Sequence, residues 1–153
     1  MIEPRDPDFE ARVRASFAAQ SAMKSLQIQL LDLQPGGVTM QLEKSDHLLQ
    51  QQGFMHGGVL TAGLDSACGF AALTLSAPSV EVLSIEFKTS FFRPVTTDKV
   101  QVIGRVIKAG KRVSFCEAEA FSLQDDDQIL LAKMSSSVAM VDVPEGWVPE
   151  NRS

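Results

Sequence analysis

Hydrophobic positions recur along this chain with two different periods, and the changes of period divide it into elements. Between residues 8 and 22, Phe9, Val13 and Phe17 recur at i, i+4 while Glu10, Arg12 and Arg14 fall elsewhere, which predicts an amphipathic helix lying as a flap over the main body. From Leu26 the period becomes two. Leu26, Ile28 and Leu30 alternate with glutamines, as do Val38, Met40 and Leu42 with polar residues, and Gln34-Pro-Gly-Gly37 between them predicts a hairpin. Residues 45 to 57 are a polar loop, and from Val59 to Leu75 nearly every position is apolar or small, until Ala77-Pro78 ends the run. A helix that is apolar all round belongs at the centre of a fold.

After Pro78 the period returns to two. Val82 to Phe92 reads as a long strand with Ile85, Phe87 and Phe91 on one face and Ser84, Glu86, Lys88 and Ser90 on the other, ended by Arg93-Pro94. A strand begins at Val100, and Ala109-Gly110-Lys111 turns into another from Val113 to Leu123. An acidic turn over Asp125-Asp-Asp127 then leads to the last strand, Ile129 to Val141. This order predicts an α+β fold: an N-terminal helical flap over 1–24, a main domain over 25–142 in which a mainly antiparallel sheet covers one face of the buried helix, and an aperiodic tail over 143–153. A single open sheet leaves edges, and the strand from Val82 to Phe92 is the one expected to pair across a dimer.

Composition narrows the function. The 153 residues, 44% apolar and 22% charged, amount to one ordinary globular domain. A net charge of -5 argues against nucleic acid as the main partner, which calls for a basic stripe. No apolar run of about 18 residues predicts a membrane span, and the start shows no basic and apolar leader, so the cytoplasm is the expected location. Cys68 and Cys116 are far apart and outside any C-x-x-C pair, and read as reduced, buried thiols.

The stretch from Gln50 to Phe70 holds the candidate chemistry. Asp65 interrupts the apolar helix, with Thr61 and Gly69 one turn away and Gly58 and Ala62 completing a stripe of small side chains. Such a carboxylate either caps another segment or serves as a general base or nucleophile, with a raised pKa unless donors bond it. His56-Gly57-Gly58 stands just before the helix. It is either a simple turn or an oxyanion site, because the first amides of a helix lack internal partners and Gly57 has no Cβ to block a carbonyl. Gly57 and Asp65 are eight residues apart, about 12 Å along one helix, so one reacting carbon cannot sit within about 3 Å of both. Two antiparallel copies of the helix would solve this, which predicts two shared sites per dimer. Leu64-Asp65-Ser66-Ala67 is not a hydrolase serine elbow, His47 and His56 lack metal-ligand spacing, and no phosphate-binding glycine loop of the nucleotide type is present, so neither a metal nor another cofactor is expected. Arg93, Lys111 and Arg112 either serve a solvated turn or bind a phosphate.

Taken together, Gly53-x-x-His56-Gly57-Gly58, Asp65 in a long helix, Ser84-Ile-Glu-Phe followed by Phe91-Phe-Arg93-Pro94, and Gly110-Lys-Arg112 make residues 25 to 142 resemble the hotdog-fold acyl-CoA thioesterases of the phenylacetate-pathway (PaaI-like) group. The resemblance implies a long helix wrapped by a curved antiparallel sheet, in dimers or tetramers with sites at the dimer interface. It implies that Asp65 is the catalytic acid residue, that the Gly57 amide polarises the thioester carbonyl, and that His56 orients the loop. It also implies that Gln50 places substrate or water and that Ser84 assists the water. Gly58 and Thr61 of the small-residue stripe and the cations Arg93, Lys111 and Arg112 are the candidate substrate-binding residues. In many Asp-bearing relatives the amide at the position of Gln50 is Asn, so Gln50 with Asp65 is a mixed pairing. An acyl-carrier-protein thioesterase and a non-catalytic acyl-CoA-binding domain are the alternatives. A dehydratase fits less well, since its catalytic His-containing helix is not seen.

Overall fold

The computed structural model describes residues 3–124 and 127–144. Two residues of the acidic turn and the tail beyond Pro144 lie outside that range. Helices α1 (Phe9–Ala19) and α2 (Ser21–Ser25) come first, then β1 (Ile28–Gln34) and β2 (Gly37–Glu43). A short 3-10 turn, Asp46–Leu48, leads to α3 (Gly57–Leu73), and four strands follow: β3 (Val80–Phe91), β4 (Lys99–Lys108), β5 (Val113–Gln124) and β6 (Asp127–Asp142). All six strands form one antiparallel sheet in the order β1-β2-β4-β5-β6-β3. This is the hotdog architecture.

The core lies between α3 and the sheet. Leu60, Leu64, Ala67, Cys68 and Ala71 of the helix are buried against Met40, Leu42, Val100, Val102, Ala120 and Met134. The helix rests directly on β4, because a Cβ at Gly104 would stand 2.5 Å from the Ala67 carbonyl oxygen. Both cysteines are free and buried, and burial pushes the Cys116 thiol up to about 12 and the Cys68 thiol higher still. They act as small hydrophobes.

Three details differ from the sequence expectations. The first helix breaks at Gln20, whose extended backbone (φ -82, ψ 100) closes α1 and opens α2 so that Met23 also reaches the core. Strand pairing starts at Ile28 rather than Leu26, because Leu26 caps α2 and Gln27 takes a left-handed φ of 53°. Arg12 does not point to solvent. Its guanidinium pairs with Asp6 at 2.8 Å and donates to the carbonyls of Leu73, Ser76 and Val80. Carbonyls at the end of a helix lack internal partners, and a cation there also complements the helix dipole. Arg12 thereby ties α1 to the far end of α3.

Candidate active site

Helix α3 presents its two candidate groups at different places. At its N-terminus His56 is the N-cap, and its Nδ1 accepts from the Gly58 N–H at 2.8 Å while its carbonyl accepts from Val59. Among the described residues no acceptor stands on the Gly57 N–H. The amide is left at the positive end of the dipole, beside the Phe91 ring, whose Cζ would lie 3.4 Å from a Cβ on Gly57. The preceding loop doubles back, with Gln50 N–H donating to Phe54 at 2.9 Å, Gly53 turning at φ 84°, and Leu49 bridging to Met55. It delivers Gln50 to a cavity of about 330 Å³ that Gly57, Phe91, Phe92 and Arg93 also line. The Gln50 carbonyl Oε1 accepts from the Gln52 N–H, and Arg93 donates to the Leu130 carbonyl at 3.0 Å.

Two turns further on, Asp65 is half-buried in the wall of a separate cavity of about 310 Å³, with Ser66, Gly69, Phe70 and Ser84. The Ser84 hydroxyl donates to Asp65 Oδ1 at 2.6 Å, a length expected of a charge-assisted bond to a carboxylate. The face assignment read from alternation is wrong for Ser84. Between Ser84 and Glu86 the register with β6 shifts, so Ile85 is an inserted residue and the strand changes face there. Ser84 stands opposite core-facing Val138, whereas Glu86 stands opposite Ser137 and bonds its hydroxyl at 2.6 Å. The bulge thus aims Ser84 at the helix, and beyond it Phe87 and Phe91 take the helix-facing side.

The chain therefore brings together Asp65 with Ser84, and separately Gln50 and Arg93 with Gly57. Gly58 and Thr61 lie on the helix between the two groups, and neither lines either cavity. Lys111 and Arg112 are exposed at the β4–β5 turn, away from both cavities. Sequence reasoning did not single out Ser16 of α1 and Gln20 just beyond its end, which wall the Asp65 cavity. Their only signal was membership of the polar face of an amphipathic helix, which does not distinguish a cavity wall from a solvated surface.

An accessible helix-start amide and a hydroxyl-bound carboxylate on one helix are groups with which a thioester could be hydrolysed. The chain belongs to the thioesterase superfamily, whose sequence profile matches residues 52–129. It is similar to a thioesterase family protein from Silicibacter pomeroyi, with 32% identity, a TM-score of 0.85, and coverage of 88% of this chain and 99% of that one. A conserved protein from Pseudomonas aeruginosa is 27% identical with a TM-score of 0.73, over 80% of this chain and 94% of that one. The PaaI protein of the phenylacetic acid degradation operon of E. coli shares the fold at a TM-score of 0.80 and 16% identity, covering 90% of this chain and 96% of that one.

Proposed function

We propose that the protein hydrolyses acyl-CoA thioesters to the free acid and CoA in the cytoplasm, at sites completed by two copies of the chain. The observation that carries this reading is the 2.6 Å bond from Ser84 to Asp65 in the wall of an open cavity. It fixes one carboxylate oxygen, and among the described residues no donor holds the other.

The arrangement of the two cavities along β3 supports a shared site. The Asp65 cavity is bordered by residues 81–84 and the Gly57 cavity by residues 91–95, at opposite ends of one edge strand. Antiparallel pairing of β3 with its own copy sets the start of one strand beside the end of the other. The Asp65 cavity of each chain then faces the Gly57 cavity of its partner, which resolves the separation of about 12 Å along one helix.

In such a site the Gly57 amide of one chain donates to the thioester carbonyl oxygen, where negative charge develops. Asp65 of the other chain either attacks the carbonyl carbon or takes a proton from a water that does so. The C–S bond breaks and CoA leaves as a thiolate that gains a proton. Where water attacked, its oxygen stays on the acyl carbon as the free acid. Where Asp65 attacked, the mixed anhydride so formed is cleaved by a water that supplies the acid's new oxygen and restores the Asp65 carboxylate. Ser84 positions Asp65, His56 holds the helix start so that Gly57 keeps its amide free, and Gln50 orients water or substrate. Arg93 is the cation nearest the Gly57 cavity and suits a CoA phosphate. Lys111 and Arg112 would reach CoA from a neighbouring copy in a tetramer of two dimers, with Gly58 and Thr61 keeping the helix face low.

The test is turnover of short, medium, long and aryl acyl-CoAs by Asp65→Asn and Asp65→Ala. Kcat is expected to fall at least about a hundredfold with the fold retained. A kcat within a few-fold of wild type on a good substrate would refute the mechanism. Comparing kcat/KM for one acyl group on CoA and on a carrier protein separates the two thioester carriers.

A further inference from the structure

Two cavities meet at the end of α1. One is the Asp65 cavity of about 310 Å³, walled by Ser16, Gln20, Phe70 and Leu73 among others. The second, of about 390 Å³, lies at the corner of α1 and α2 and is lined by Phe17, Met23 and Ile28 together with Lys24, Gln27 and Glu43. Gln20 lines both. Phe17, in the wall of the second cavity, packs on Phe70, in the wall of the first, with ring centroids 5.5 Å apart and planes inclined at 54°. The two spaces thus share Gln20, whose side chain is exposed, and their walls meet at the Phe17–Phe70 pair.

We propose that Phe17, Phe70 and Gln20 form a partition that sets the length of acyl chain the enzyme accepts. The proposal rests on the acyl-CoA thioesterase reading above. The first cavity alone lies at the small end of the range for small-molecule sites, roughly 300–1,000 Å³. Joining the second to it would more than double the space beside Asp65. The added walls suit methylenes, with Met23 and Ile28 as apolar floor and Met23 able to adjust its shape. The partition is also placed where the backbone can yield. Gln20 is the junction at which α1 stops and α2 begins, whereas Arg12 fixes α1 about two turns before it. With the partition closed, the acyl group is confined to the first cavity. With Phe17 truncated, its distal end extends under α1.

The experiment measures kcat/KM across straight-chain acyl-CoAs of increasing length for wild type, Phe17→Ala and Gln20→Ala, with thermal melting to verify folding. Each further methylene buried is worth about fourfold in kcat/KM. Phe17→Ala is therefore expected to raise the long-to-short ratio about tenfold or more, and Gln20→Ala to raise it less. A merely structural role for Phe17 would lower every substrate alike, and that outcome, or an unchanged ratio in both variants, overturns the proposal. Should Phe17→Ala fail to fold, Gln20→Ala decides alone, because its side chain is exposed. An active wild type with unshifted variants overturns only the partition. A wild type inactive on every acyl-CoA overturns the thioesterase reading and the partition with it.

Discussion

In the proposed mechanism Gly57 and Asp65 place opposite demands on one helix. Gly57 has to keep an N–H free, and it does so because His56 satisfies the next two amides, one through Nδ1 and one through its carbonyl. Asp65 has to be held without being neutralised, and a neutral hydroxyl achieves this where a lysine or arginine would not. The amide can be removed without disturbing the helix. Proline is favoured at the first helical position and needs an extended residue before it, and His56 already has φ -61 and ψ 134. Gly57→Pro should therefore melt close to wild type while kcat falls about a hundredfold or more, the cost of one lost oxyanion donor. Equal activity in that variant would remove the Gly57 amide from the mechanism. Asp65 and the His-Gly-Gly turn were legible in the sequence as candidates, because a lone acid in an apolar helix is costly and a glycine pair beside a helix start leaves an amide accessible. The bond between Ser84 and Asp65 was not.

At the scale of elements, the reason is the bulge. Alternation with a period of two assigns every second residue to one face, and an inserted residue at Ile85 reverses that assignment with no mark in the local sequence. Arg12 was hidden for a similar reason: its role depends on carbonyls more than sixty positions away, on an element that helix periodicity cannot see. The central helix and the six strands were legible, since α3 is apolar on nearly every side and each strand alternates between turn signals, whereas the break between α1 and α2 was not. Helix and sheet come close at Gly104, where β4 lies against the α3 backbone. A methyl group there has no flexible side chain to displace, so Gly104→Ala should destabilise the fold by about 1–3 kcal/mol, measured by denaturant unfolding. An unchanged midpoint would show that helix and sheet can separate freely.

The whole molecule has an edge that a lone chain leaves uncovered. β3 ends the sheet, and Leu83 and Ile85 are 64% and 55% exposed, with Phe87, Phe91 and Phe92 also exposed further along. An open, apolar edge strand invites pairing. In the proposed dimer these side chains are covered, so Leu83→Lys or Ile85→Lys should shift the protein to monomer in sedimentation and abolish turnover while leaving the monomer folded. Retained activity in a true monomer would place the site within one chain. The sequence pointed to this edge in two ways, by the apolar alternation of Val82 to Phe92 and by the spacing of Gly57 and Asp65, and that strand stands at the end of the sheet, as β3.

The most direct test of the shared site mixes two inactive variants. Asp65→Asn and Gly57→Pro, each purified and then exchanged at equal amounts, form mixed dimers in which one site carries both defects and the other carries neither. With random exchange about half the dimers are mixed and each has one intact site, so kcat should recover to roughly a quarter of the wild-type value. Recovery to that level is the predicted result. No recovery, with exchange of subunits verified, would contradict a site built from Gly57 of one chain and Asp65 of the other.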